Sequence, residues 1–244
     1  MLREYHKWFS ARLNRTMELL VFGHAGERAL VFPTRQGRFF DYENWRLVEA
    51  AAPAIDAGKL QLFCLDSFDS HSLYCDSIPP RERIRRHQLF EDYVLQEVLP
   101  FTQSKNSDPR LLAHGCSIGA YHAVDLAFRR PQLFTRVLAL SGRYDLTRAI
   151  GPFLDLFSGY YDENIYFHTP PHFLPRLTDT TLLTALRRLD ITLAVGHDDT
   201  FCASTRDLSN ILHNKKIPHH LDIWPGEAHR ALHWREMVRR YLAA

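Results

Sequence analysis

In the stretch LLAHGCSIGAYHA, residues 111–123, a serine stands midway between two glycines: Gly115-Cys116-Ser117-Ile118-Gly119. The apolar run Leu111-Leu112-Ala113 precedes it and a helix-like segment, 118–130, follows it. A hydroxyl in that setting can be a nucleophile. A strand that turns at once into a helix holds its turn residue in a strained conformation. Side chains two positions to either side would then strike the neighbouring strand and helix, and glycine at 115 and 119 removes both collisions. Ser117 is left raised on a sharp turn, beside the free backbone N–H groups of a helix start. The structural alternative is that a serine before a helix is only an N-cap.

A serine hydroxyl is weak until a base takes its proton, so the motif needs partners. With this turn, the acid and the base follow the serine in the order Asp/Glu, then His. Two later strand ends supply them. "ITLAVGHDDTF" carries Asp198 and Asp199, and "WPGEAHRALHW" carries His229. Asp199 is preferred, because Gly196 in Gly-x-x-Asp turns it back toward the sheet edge, whereas Asp198 reads as solvated. His229 lies in a loop after Gly226, free to reach over that edge. His233 falls one turn into a helix, and His219 and His220 begin a strand at the opposite edge. His197 reads as an exposed turn residue and His114 as structural. The chemistry expected is acyl transfer: His229 removes the proton as Ser117 attacks a carbonyl, and Asp199 fixes the imidazole tautomer. The oxyanion requires two donors. One is the backbone N–H of Ile118; the other comes from "PTRQGRFF", near Arg35 or Gln36.

The elements that must position these residues alternate along the chain. Strands are expected at 4–12, 16–22, 28–32, 59–65, 110–115, 136–142, 190–199 and 219–224. The first two form a hairpin around Asn14-Arg15. Helices are expected at 43–57 with a kink at Pro53, at 80–101, 118–130, 202–216 and 229–243. The pattern predicts an α/β protein, a mostly parallel sheet with helices on both faces and an antiparallel hairpin at one edge. Residues 150–185 break the rhythm. They are aromatic- and proline-rich without a clear period, and read as an insertion packed over a cleft in a single domain.

With 24% charged residues and a net charge of +2, no strong field favours nucleic acid or an acidic membrane. The run Arg81-Glu82-Arg83-Ile84-Arg85-Arg86 reads as a solvated helix face. The four cysteines fit no zinc pattern, and the apolar settings of Cys64 and Cys116 suit reduced thiols. No signal peptide or apolar span is evident, so a soluble cytoplasmic protein is expected. No metal or organic cofactor is implied, and the partner expected is a small-molecule ester.

The residues also carry a family likeness. "GCSIGAYHA", "AVGHDDTF" and "WPGEAHRALHWREMVRRYL" resemble the α/β-hydrolase superfamily. More narrowly they resemble the putative-esterase group that includes esterase D, feruloyl and acetylxylan esterases and mycolyltransferases. Gly226, His229 and Trp234 match that group's Gly-x-x-His followed by a tryptophan. Asp41, Tyr42 and Trp45 match the cluster beyond its oxyanion loop. The loop itself lacks the Asp-Gly or His-Gly pair of many relatives, and Thr200 stands where proline is common. The resemblance implies a serine esterase with the triad Ser117, Asp199 and His229. An acyltransferase using the same serine, or a hydrolase fold kept as a binding module, stays open at this point.

Overall fold

A computed structural model describes residues 1–243. Eight strands make one sheet: β1 (Arg3–Ser10), β2 (Arg15–Phe22), β3 (Glu27–Phe32), β4 (Leu60–Leu65), β5 (Leu111–Cys116), β6 (Arg136–Leu140), β7 (Asp190–Gly196) and β8 (His220–Trp224). Their order is β1-β2-β4-β3-β5-β6-β7-β8. The pairs β1–β2 and β2–β4 are antiparallel, and every neighbouring pair from β4 to β8 is parallel. This is the α/β-hydrolase fold with its leading hairpin.

The central strands are apolar throughout because both sheet faces are covered. Every residue of β4 and β5 is buried. The edge strand β1 instead alternates exposed and half-buried side chains and carries Arg3, Glu4 and Lys7, which keep its free edge from pairing further. The helices are α1 (Asp41–Asn44), α2 (Leu47–Asp56), α3 (Pro80–Tyr93), α4 (Leu99–Lys105), α5 (Ile118–Arg129), α6 (Glu163–Phe167), α7 (Pro170–Phe173), α8 (Thr180–Leu186), α9 (Cys202–Asn214) and α10 (Ala231–Leu242). On one face Leu47 and Ala51 of α2 and Met237 and Val238 of α10 pack on Leu62, Leu138 and Ala194. On the other, Phe90 of α3, Val124 of α5 and Leu208 of α9 pack on Leu30, Ala113 and Leu193. Among the described residues no helix is long and apolar enough to cross a membrane.

Two helices differ from expectation. The segment 43–57 is split into α1 and α2 at Arg46, whose φ of 61° interrupts the helical turn, while Pro53 lies inside α2 without ending it. The helix at 80 runs on past 101. It widens into a π-type turn at Val94–Val98 and continues as α4 to Lys105. The widening comes just before Pro100, whose ring nitrogen supplies no hydrogen to the turn below. The strand expected to reach residue 199 ends at Gly196. Residues 150–185 hold α6, α7 and most of α8, pieces of 4–7 residues, too short to display a period. Phe157 and Ile165 of this segment pack on Ile118 and Tyr121, at the start of α5.

His114 in β5 is structural. Its Nδ1–H donates to the Leu138 carbonyl at 2.8 Å, and its Nε2 accepts from the Tyr42 hydroxyl at 2.9 Å. Burial lowers its pKa from 6.5 to about 4. The unfolded chain therefore takes a proton there that the folded chain refuses, and stability from this group falls as pH drops from about 6.5 to about 4. We expect Tyr42→Phe to leave the Nε2 acceptor buried and unpaired, at a cost of about 1–3 kcal/mol. Urea unfolding at a series of pH values measures both effects.

Candidate active site

β5 ends at Cys116 and α5 begins at Ile118, so Ser117 alone makes the turn, at φ 58° and ψ −122°. That conformation costs a non-glycine residue of order 1–3 kcal/mol and persists only where the surroundings enforce it. They do so here. The Ser117 N–H donates to the Leu140 carbonyl at 2.8 Å, and its carbonyl accepts from the Ala120 N–H at 3.0 Å. A Cβ on Gly115 would lie 2.3 Å from the carbonyl carbon of Gly119, and one on Gly119 would lie 2.4 Å from the Phe32 carbonyl oxygen. The two glycines thus face each other and the end of β3, and the helix is laid directly on strand backbone.

The same backbone stitching continues along the carboxyl edge of the sheet. The Ser141 N–H donates to Ala194 O at 2.8 Å, His197 N–H to Trp224 O at 2.7 Å and Asp198 N–H to Gly226 O at 2.9 Å. Gly196 lets the last of these loops cross, since a Cβ there would lie 2.2 Å from the Glu227 carbonyl oxygen. The turn after β7 buries Asp199 and leaves Asp198 exposed against His197. Asp199 Oδ1 accepts the Phe201 N–H at 2.9 Å. His229 Nδ1 lies 3.0 Å from Asp199 Oδ2 and 3.2 Å from Oδ1. An ionised carboxylate only accepts, so Nδ1 carries the hydrogen and Nε2 keeps its lone pair. The His229 ring is held between Phe201 and Trp234, with centroids 5.3 and 5.2 Å away and both contacts edge-on. Trp234 Nε1–H in turn donates to Ser141 Oγ at 3.2 Å. The fold therefore joins Asp199 to His229 and sets Ser117 on the same rim. Among the described residues Ser117 Oγ makes no hydrogen bond, and the His229 ring bonds through Nδ1 alone.

The loop after β3 is held by three carboxylates. Asp41 Oδ2 accepts the Arg38 N–H at 2.8 Å, Asp66 Oδ1 the Phe39 N–H at 3.3 Å, and Asp69 Oδ2 the Gln36 N–H at 3.3 Å. Asp69 Oδ1 faces His122 Nε2 at 3.1 Å. Burial pushes the Asp69 carboxyl up, but His122 and the Gln36 N–H more than offset it and hold it below the ordinary range. Gln36, at φ 53°, is thus a poor oxyanion donor, because its N–H is already committed to Asp69. Among the described residues the N–H groups of Arg35 and Ile118 have no acceptor. The sequence reading missed Asp69, Phe201 and Ser141. A carboxylate in a loop just past β4, at the site's own sheet edge, was the available signal for Asp69. Among the described residues, one grouping of metal-ligating side chains, His87, Glu91, Asp125 and His168, occurs about two turns along α5 from Ser117.

A family model described as "Putative esterase" matches residues 79–238, a span that takes in Ser117, Asp199 and His229. The chain belongs to the putative esterase family. It is a carboxylic ester hydrolase by that membership. No curated protein matches it. Solved structures share the esterase's fold at low identity. A ferulic acid esterase matches with TM-score 0.75 and 13% identity, over 99% of this chain and 96% of its own. An S-formylglutathione hydrolase from Staphylococcus aureus matches with TM-score 0.76 and 16% identity, over 99% and 97%. The enterobactin esterase of Shigella flexneri matches with TM-score 0.62 and 20% identity, over 100% of this esterase and 59% of its own length.

Gly119→Ala sets a methyl group against the Phe32 carbonyl, where no flexible group can yield. We expect the variant not to accumulate as folded protein, judged by soluble yield and circular dichroism. Ala120→Gly, one position on, is expected to fold with a loss near 1 kcal/mol.

Proposed function

We propose that this esterase cleaves a small-molecule carboxylic ester through an acyl-enzyme on Ser117. The observation that carries the reading is the buried Asp199 carboxylate paired with His229 Nδ1 at the rim where Ser117 stands strained. Substrate binding draws Ser117 Oγ and His229 Nε2 together; such contacts commonly tighten only in the Michaelis complex. His229 takes the hydroxyl proton as Oγ bonds to the carbonyl carbon. The negative charge on the former carbonyl oxygen meets the N–H groups of Ile118 and Arg35. His229 then gives its proton to the departing alcohol oxygen and the acyl–Ser117 ester remains. Water repeats the sequence: His229 takes its proton, the hydroxyl adds to the acyl carbon, and Ser117 leaves with the proton returned. Asp199 holds the tautomer and steadies the imidazolium formed in each half. All four cysteines are unpaired, which suits a reducing compartment, and we place the enzyme in the cytoplasm.

On p-nitrophenyl acetate, Ser117→Ala and His229→Ala are each expected to lower kcat at least ~10³-fold, and the double variant little further, because the groups act as a unit. Additive losses contradict the shared mechanism. A fluorophosphonate probe should label Ser117 and no other residue, read by peptide mass; a label elsewhere reassigns the nucleophile.

A further inference from the structure

We infer that His87, Glu91, Asp125 and His168 form a structural binding site for a zinc-type divalent ion, apart from the ester site. His87 and Glu91 are one turn apart on α3, Asp125 is on α5, and His168 lies between α6 and α7. All four are buried, and one ligand atom from each can be chosen so that all lie within 4.8 Å of one another.

The two His87 spacings are close to those of ligands around an ion. His87 Nε2 is 3.7 Å from Glu91 Oε1 and 3.6 Å from Asp125 Oδ2, too far for hydrogen bonds. A tetrahedral ion about 2.0–2.2 Å from its nitrogen and oxygen ligands sets them about 3.3–3.6 Å apart. His87 is the telling member. It is 1% exposed, and neither ring nitrogen has a hydrogen-bond partner among the described residues. Arg129 bonds to Glu91 and, at 3.3 Å, to Asp125, so an ion-pair network accounts for both carboxylates. It does not account for an imidazole aimed between them with nothing to bind. His168 is hydrogen-bonded at both ring nitrogens: Nδ1–H donates to the Asn164 carbonyl at 2.6 Å and Nε2–H to Glu91 Oε2 at 3.1 Å, and an ion would take the place of that second hydrogen. A backbone bond of this kind on the far nitrogen is the usual support of a metal-bound histidine.

Two imidazoles with two carboxylates favour zinc over calcium or magnesium, which take oxygen ligands. Access runs past Arg129, which lines a surface cavity together with Glu91 and His168. A bound ion would pin residues 150–185 to α3 and α5. Local spacing shows only the pair His87 and Glu91; the other ligands come from distant segments, which is why no zinc pattern is visible in the sequence.

The test uses the full chain, stripped with a chelator, exposed to zinc chloride, freed of excess and analysed for metal by mass spectrometry. One zinc per chain is expected, with a raised Tm. His87→Gln and Asp125→Asn should each weaken binding at least ~10-fold, while His197→Gln, at the exposed turn, binds as the parent does. Should both variants fail to fold, cobalt absorption and X-ray absorption of the loaded parent decide. Four-coordinate cobalt and a shell of nitrogen and oxygen ligands that includes imidazole support the site. Substoichiometric retention, six-coordinate cobalt, or undiminished uptake in folded variants overturns it.

Discussion

Helix α5 rests on the ends of β3 and β5 with backbone against backbone. The Gly119 position lies so close to the Phe32 carbonyl, and Gly115 so close to Gly119, that no side chain fits between them. This close approach fixes the rest of the site. It leaves a single residue to reverse the chain direction between strand and helix, which puts Ser117 at φ 58°. It also aims the first N–H groups of α5 at the space above the sheet edge, where the helix itself cannot satisfy them. The strain at Ser117 is tolerable because both flanking elements are buried on every side: all six residues of β5 and most of α5 are inaccessible. Relaxing the turn would mean lifting the helix off the core.

Asp199 and His229 are set by a different device, a series of loops stitched to the next strand, with Phe201 and Trp234 packed about the imidazole. Each loop leaving β5, β6 and β7 donates a backbone N–H to the neighbouring strand end or its following loop. An ionised carboxylate is costly to bury unless donors meet it. Asp199 has the Phe201 N–H and His229 Nδ1–H. Asp198 has an exposed histidine and no enclosure, which is the physical difference between two adjacent aspartates of identical chemistry. The loop after β3 follows the same logic with Asp41, Asp66 and Asp69. Burial raises the Asp66 pKa against the pull of Arg38, whereas Asp69, with His122 beside it, stays low. A charged Asp69 is therefore a firm anchor for Gln36, and the Arg35 N–H just before it has no acceptor among the described residues.

What could be read from the sequence was what local chemistry dictates. Apolar runs marked β4, β5 and β7, because a strand covered on both faces tolerates little else. The glycines at 115 and 119 marked the elbow, because only a missing Cβ permits that contact. Glycine followed at fixed spacing by Asp199 and His229 marked the rim. Legibility ended where a residue's role depends on what lies across from it. Asp69 sits in a polar stretch rich in Asp and Ser, 66–79, and its importance comes from His122 and Gln36, 53 and 33 residues away. Ser141 gains its role from Trp234, 93 residues on. The break at Arg46 is likewise a tertiary outcome on a segment whose own propensity would have continued, whereas the end of β7 at Gly196 falls where glycine and aspartate disfavour a strand. Residues 150–185 gave no period because their helices are a turn or two long and are held by what they touch.

That last segment has one side fastened to the core and one side in solvent. Its inner side is fastened to α5, the helix that carries the elbow, and to α3. The Tyr121 hydroxyl donates to the His168 carbonyl at 2.8 Å, the Arg83 guanidinium to the Leu156 carbonyl at 2.8 Å, and Phe157 and Ile165 bury against Ile118. The Phe153 ring lies 4.9 Å from Phe201, which itself flanks His229. Its outer side carries Leu154, Tyr161 and Phe167 with half or more of their surface, or close to it, in solvent. Apolar side chains on a clamped backbone gain nothing from exposure in the free chain. The clamp on the inner side thus ties this segment to α3 and α5, while Leu154, Tyr161 and Phe167 stay exposed on its outer side.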